Sequence, residues 1–357
     1  FGICSEMKSL TTFSSQIQMF PPGTITRLKL NELTPKKTSW NYYKIEYPIL
    51  HTNETLAIQT LQKLLTQAVY KRLECDRGNV SCLLSGGLDS SIITSIASQK
   101  IPQIQTFSIG FSDSVDLNHA SLVANHLKTN HTEVIVTEQE MLHSIEETIY
   151  QIETMDVTTI RASVPMFLLS KYIQKHSESR VILSGEGADE TSGSYLYFHN
   201  APSPEEFRQE TFRLMRDNQH FDILRADKTT AGAGLELRVP FYDRDFINYY
   251  MSIEPSLKMV RNGYEKYLLR QAFKDYVPSE IAWRRKDGFS DGVSSLEKPW
   301  YSIIENYTQT HFQLSEKDYY QRVFLQFYKS NRHIVPYQWL PKWSGDIQNP
   351  SNRLITN

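Results

Sequence analysis

Two spacings of apolar residues run along this chain, and the point where one gives way to the other sets the expected fold. After Thr52, Leu61, Leu64, Leu65, Ala68 and Val69 recur at helical spacing, which predicts an amphipathic helix of about five turns. Short apolar runs follow at 80–84, 105–111, 131–136 and 180–183, each the length of a buried strand. Between and after them, 90–99, 119–127, 138–154 and 164–176 read as helices. Strand and helix alternating in this way imply an α/β fold, an open parallel sheet with helices on both faces. Ligands of such sheets sit beyond the carboxyl ends of the strands. Past Pro202 the strand signals fade, and 204–217, 264–276 and 319–329 read as a helical C-terminal extension of the same unit. Ahead of the first helix, Phe20-Pro-Pro-Gly23 marks a turn between a mixed opening stretch and the β-rich segments 24–30 and 42–47. The expected division is therefore 1–50, a small β remnant with a linker, and 51–357, the α/β unit. Because residues 1–10 read like the inside of a domain, a preceding segment is expected.

Composition narrows the partners. Among 357 residues, 40% are hydrophobic and 22% charged, with a formal net charge of −2, a soluble globular balance without the basic footprint of a nucleic-acid binder. Cys4, Cys75 and Cys82 are too few and too irregular for a disulfide framework or a zinc site, so a reducing, cytoplasmic setting is expected. No apolar stretch approaches bilayer length and no signal peptide is evident. Small molecules or protein are the expected partners, with no nucleic acid and no membrane.

Two loops carry chemistry. Leu83-Leu-Ser85-Gly86-Gly87-Leu88-Asp89-Ser90-Ser91 follows the first sheet strand and opens a helix, the place where free N–H groups receive an anion. Gly86 and Gly87 allow close backbone approach, Ser85, Ser90 and Ser91 supply hydroxyl donors, and Asp89 suits a divalent cation bridging phosphates. A Gly-Gly turn with a serine cap accounts for part of this string. The second loop, Ser184-Gly185-Glu186-Gly187-Ala188-Asp189-Glu190, follows the fourth strand and faces the same crevice. Its three carboxylates repel one another unless a cation sits among them; the alternative is a solvated acidic turn.

The first string resembles the PP-loop of ATP pyrophosphatases, and the two loops together resemble the asparagine synthetase family. The likeness extends through Val157-Thr-Thr-Ile-Arg161-Ala-Ser163, Leu235-Glu-Leu-Arg-Val-Pro-Phe-Tyr-Asp243, Glu265-Lys-Tyr-Leu-Leu-Arg270, Arg285-Lys286-Asp-Gly-Phe-Ser-Asp-Gly292 and Trp339-Leu-Pro-Lys-Trp343 to Asn349-Pro-Ser-Asn-Arg353. Ser5-Glu-Met-Lys8 and Phe20-Pro-Pro-Gly23 are similar to the closing strands of that family's glutaminase domain. The resemblance implies a ligase that uses ATP and Mg²⁺ to adenylate the aspartate side chain, then replaces AMP with ammonia. That ammonia is free or comes from glutamine through a glutaminase domain or subunit, and the reading admits a homodimer.

Carried over residue by residue, the resemblance puts Ser85, Gly86, Gly87, Asp89 and Ser90 on the pyrophosphate and Leu83, Ile109, Ser184 and Gly185 around the adenosine. Asp89 and Asp189 become the Mg²⁺ ligands, Lys286 the cation on the transition state, and Arg161 a phosphate contact. Glu186 is the base, assisted by Tyr195; Glu190 and Asp243 bind aspartate. Plain strand core for Leu83 and Ile109, a structural carboxylate for Asp243 and a solvated lysine for Lys286 are the competing readings. Two stretches depart from the family. Thr191-Ser-Gly-Ser-Tyr195 replaces Phe-Gly-Gly-Tyr, which is expected to alter how Tyr195 is held, and Ala231-Gly-Ala-Gly234 replaces bulkier residues, which is expected to loosen the aspartate pocket. The glutaminase nucleophile is an N-terminal Cys, whereas position 1 is Phe and Cys4 is given no catalytic role. These residues alone are therefore expected not to hydrolyse glutamine. A cyclase like β-lactam synthetase and a non-catalytic nucleotide binder are the alternatives; retention of Asp89, Glu186, Asp189 and Lys286 together argues against the second.

Overall fold

A computed structural model describes residues 2–14, 16–29, 36–74, 79–345, 347 and 349–354; Cys75 lies outside the described residues. Near the start, β1 (Thr24–Lys29) and β2 (Lys36–Asn41) pair antiparallel. The second strand falls at 36–41 instead of the expected 42–47. Ile25 opposite Trp40 and Thr26 opposite Ser39, the latter with hydroxyls 2.8 Å apart, set the register. Tyr43 and Tyr47 instead join hydroxyls at 2.6 Å, with Tyr47 turned into the core.

Asn53 caps α1 (Glu54–Leu73) by accepting from Leu56 N, and the expected stripe of Leu61, Leu65, Ala68 and Val69 is buried. The α/β alternation then runs β3 (Asn79–Leu83), α2 (Leu88–Lys100), β4 (Gln105–Gly110), α3 (Val115–Leu127), β5 (Asn130–Ile135), α4 (Glu138–His143), α5 (Ile145–Ile152), α6 (Val157–His176), β6 (Ser179–Leu183) and α7 (Ala188–Ser192). The helix expected over 138–154 is two helices, separated at Ser144, whose hydroxyl turns back to Met141 O. The helix expected from 164 begins at Val157, because Asp156 accepts from Thr159 N and Oγ1 and so caps it earlier.

Helices α8 (Pro204–Asp217) and α9 (Asp222–Gly232) lead to β7 (Glu236–Arg238), a strand inside the region read as purely helical. Thereafter come α10 (Arg244–Met251), α11 (Pro255–Lys258), α12 (Tyr267–Phe273), α13 (Ser279–Ala282), α14 (Phe289–Gly292), α15 (Trp300–Phe312) and α16 (Glu316–Tyr328).

The five later strands form one all-parallel sheet in the order β5-β4-β3-β6-β7. The chain starts at the centre, works outward to β5, then returns to β6 on the other side of β3. That reversal makes a crevice at the carboxyl ends of β3 and β6, where open α/β sheets take their ligands. The sheet divides two apolar cores: along β6, Val181 and Leu183 point into one and Ile182 into the other. Met7 and Ile17, near the start of the chain, belong to the core on the Ile182 side. Among the described residues no helix is long and apolar enough to cross a membrane.

Candidate active site

Because Cys82 pairs with Leu183 across β3 and β6, the turns that follow these strands emerge side by side. The first turn needs glycine at Gly86. Its φ is +70°, and a Cβ there would meet the backbone of His119 and Ala120 at 2.4 Å. The second turn packs directly against the first. A Cβ on Gly185 would lie 2.8 Å from Ser90 N and 2.9 Å from the carbonyl carbon of Asp89. Inside the first turn, Ser85 and Ser90 hydroxyls are 3.1 Å apart, and Ser90 and Ser91 donate to Gly87 O at 3.1 and 2.7 Å.

Two lysines from the C-terminal part meet the aspartates of these turns. Lys266 Nζ donates to Asp89 Oδ2 at 2.5 Å and to Asp189 Oδ1 at 2.6 Å. Lys286 Nζ donates to Asp189 Oδ2 at 2.6 Å and stands 3.9 Å from Asp89 Oδ2. Burial alone would raise the Asp189 carboxyl, but Lys266 and Lys286 hold it well below the usual carboxylate range. Burial likewise opposes the Lys286 ammonium, yet Asp189 and Asp89 keep it charged, above the ordinary lysine value. Lys266 reaches its position from left-handed backbone, φ 57°, which is uncommon for a side-chain-bearing residue and clusters at functional sites.

Beyond the aspartates the cleft turns acidic. Arg225 Nη1 and Nη2 donate to the two oxygens of Glu186 at 2.9 and 2.8 Å, and Nη2 also reaches Asp222 Oδ1 at 2.8 Å. Burial raises the Glu186 carboxyl, against the pull of the Arg225 charge. The Tyr195 hydroxyl lies 2.5 Å from Glu190 Oε1 and 2.9 Å from Asp222 Oδ2. Burial first, then the charges of Asp222 and Asp189, push the Glu190 carboxyl well above its ordinary range.

Leu83, Ser85, Gly87, Asp89, Ser90, Ile109, Ser184, Gly185, Glu186, Asp189, Tyr195 and Lys286 all line this one cleft. Gly86 and Glu190 stand just behind its wall, Gly86 accepting from Arg284 Nη1 at 3.1 Å. Arg161 and Asp243 are elsewhere. Arg161 is buried in α6, where its Nε and Nη2 grip Glu316 at 2.8 and 2.5 Å and Nη1 donates to Asn349 Oδ1 at 2.7 Å. Three of its five N–H donors are thus engaged away from the residues that line the cleft. Asp243 caps α10 by accepting from Asp245 N and takes ion pairs from Arg72 at 2.9 Å and Lys71 at 3.3 Å.

The two departures from the family pattern also find their places. Ser194 Oγ donates to Asp189 Oδ1 at 2.5 Å. Tyr195 is seated by Glu190, by Asp222, by a parallel stack on Tyr197 and by Trp339 at 5.4 Å between centroids. Two carboxylates and two aromatic rings thus hold Tyr195. Residues 231–234 do not line the cleft, and a Cβ on Gly232 would run into the Gln151 side chain at 2.3 Å. Gly232 thus makes room for Gln151 of α5, while Gly234 faces open space.

Lys266, inside the Glu265–Arg270 motif, and Asp222 and Arg225 line the cleft with no role read for them from the sequence. Each comes from or beside a helix remote from the strand-end turns; the spacing of Asp222 and Arg225, three apart on one helix face, is the sole local signal for that pair.

Comparison with known proteins agrees with this geometry. A family model described as asparagine synthase matches residues 60–213 and 199–344. The glutamine-hydrolyzing asparagine synthetase of Gallus gallus is 38% identical over 400 residues, covering 99% of this chain and 71% of that protein. Its counterpart in Homo sapiens is 38% identical over 402 residues, with 100% and 71% covered. That of Bos taurus is 42% identical over 322 residues, covering 83% of this chain and 57% of the relative.

Proposed function

The chain belongs to the asparagine synthase family, ATP-using carbon–nitrogen ligases, and from that premise we propose that its cleft adenylates the side-chain carboxylate of aspartate and hands the product to ammonia. One carboxylate oxygen attacks the α-phosphorus of ATP, the bond from that phosphorus to the bridging oxygen breaks, and pyrophosphate leaves. Ammonia then adds to the carbonyl carbon of β-aspartyl-AMP, a proton passes to a base, and AMP departs as asparagine forms.

The observation that carries this reading is the convergence of both strand-end turns and two lysines. Ser85, Gly87 and Ser90 on one turn and Ser184 and Gly185 on the other share a cleft in which Lys286 Nζ is 2.6 Å from Asp189. Lys266 and Lys286 stabilise the charge that grows on the departing pyrophosphate, an electrostatic task performed by groups already in position. Ile109 and Leu83 enclose the adenine side. Glu186 is the base: burial holds its carboxyl above the ordinary range, nearer to working pH, and Arg225 fixes its orientation through two hydrogen bonds. Tyr195, Asp222 and Glu190 suit the ammonium of the amino-acid substrate.

The aspartate pair also fits Mg²⁺. Asp89 Oδ1 is buried with no hydrogen-bond partner, and its other oxygen and Asp189 both face cationic neighbours. Among the described residues no three His, Cys, Asp or Glu side chains group as metal ligands, so Asp89 and Asp189 would share the ion with phosphate oxygens and water. When bound, the ion would supply positive charge against the phosphates.

The test supplies the purified chain with ATP, Mg²⁺, aspartate and ammonium and follows pyrophosphate, AMP and asparagine in equal amounts. Lys286→Ala is expected to bind ATP and to lose about 100-fold or more in kcat. Pyrophosphate without asparagine would point to another acceptor, and undiminished turnover in Lys286→Ala would remove the lysine from the mechanism.

A further inference from the structure

The segment that carries Lys286 begins and ends on one buried carboxylate. Arg284, at its start, donates from Nη2 to Asp116 Oδ1 at 3.0 Å. At its end, Gly292 lies so close that a Cβ there would be 2.3 Å from Asp116 Cγ. Asp116 sits in the first turn of α3 and is 6% exposed. The N-cap of that helix is already filled by Ser114, which accepts from Leu117 N and donates to Gly292 O at 2.8 Å. The Asp116 carboxylate therefore does not serve its own helix; it faces the lysine segment. Arg284 also donates from Nη1 to Gly86 O at 3.1 Å, so the same guanidinium fastens the segment to the phosphate turn.

We infer that Asp116 is a positioning residue: it staples both ends of 284–292, through Arg284 and against Gly292, and thereby aims Lys286 at Asp189 and the phosphates. The inference rests on Lys286 being the catalytic lysine. Burial pushes the Asp116 carboxyl up to about 6 against the pull of Arg284, as expected of a group enclosed between two segments. No contact with substrate is required of it. Misplacing a charged group by about 1 Å costs on the order of 100-fold in rate, so a loosened staple reads out chiefly in kcat.

The experiment compares wild type, Asp116→Asn and Lys286→Ala in two assays on the full chain. One is steady-state pyrophosphate release with ATP varied at saturating aspartate and ammonium. The other is the rate of trypsin nicking within 284–287 without ligands, where Arg284, Arg285 and Lys286 offer adjacent cleavage points and Arg285 is exposed. Asp116→Asn is expected to lower kcat about 30-fold while the KM for ATP stays within about threefold, and to speed nicking about tenfold. Both changes together are required. A wild-type kcat, unchanged nicking, or a loss confined to the ATP KM overturns the inference. Should Asp116→Asn not fold, Arg284→Gln cuts the first end alone and has to give the same paired result. If Lys286→Ala turns over normally, the catalytic role of that lysine falls, while nicking of Asp116→Asn still judges the staple by itself.

Discussion

At the scale of single residues, the molecule spends its buried charges unequally. Asp89, Asp189, Lys266 and Lys286 pair with one another in the cleft between the two turns. Lys258 lies in the core with 2% exposure, and the hydrogen bond it makes is to a backbone carbonyl, Tyr250 O at 3.3 Å. Burial first, and Arg208 second, bring its pKa down to about 7. The unfolded chain keeps this lysine near its ordinary 10.5, so between about pH 7 and 10 the unfolded state binds more protons and stability rises with pH. Replacing Lys258 with Met removes a buried ammonium and keeps an apolar stem. Lys258→Met is expected to be more stable at pH 7 by on the order of 3 kcal/mol and to lose the rise toward pH 9. Urea denaturation at both pH values measures this, and a Lys258→Met chain weaker than wild type at pH 7 contradicts it.

At the scale of elements, α6, α16 and the C-terminal tail are tied by one guanidinium. Arg161 holds Glu316 with two donors and Asn349 with a third, and Trp300 Nε1 donates to its backbone carbonyl at 3.2 Å. Arg161→Ala leaves Glu316 buried and unpaired, so a loss of about 3–5 kcal/mol is expected in chemical denaturation. A paired Arg161→Met, Glu316→Leu chain is expected to recover most of it, with ATP KM near wild type throughout. A stable Arg161→Ala with abolished ATP binding would return this arginine to the phosphates. What was legible in the sequence follows the same division. The three inner strands, β3, β4 and β6, declared themselves as short apolar runs because helices cover both faces of the sheet, β5 through Val134 and its neighbours at the other edge, and the two turns through the glycine, hydroxyl and carboxylate that follow β3 and β6. The fifth strand stayed hidden, since Glu236-Leu-Arg238 is an edge of three residues, two of them charged. The partner of Arg161, a buried glutamate 155 positions away, is not readable from the motif that carries the arginine. Asp222 and Arg225 reach the cleft through tertiary packing, and Lys266, inside the Glu265–Arg270 motif, carries no role there until that packing is seen.

At the scale of the whole molecule, the opening residues behave as part of the α/β unit's own core. Met7 N and Lys8 N donate to Glu153 at 3.0 and 2.7 Å, Lys8 Nζ donates to Gln151 O, and His333 Nε2 lies 2.7 Å from Ile17 O. Removing residues 1–23 withdraws Met7 and Ile17 from that core and strips Glu153 of two backbone donors. The truncated chain is expected to lose on the order of 4 kcal/mol, read as a lower urea midpoint; an unaltered midpoint would make the segment a passive passenger. The broadest consequence lies at Gly185, where two turns belonging to separate βα units touch through a bare α-carbon. A single methyl group there would act as a wedge, prising apart the halves of the crevice and with them the gap between Asp89 and Asp189. The spacing of the two carboxylates is thus gauged by a hydrogen atom on one α-carbon.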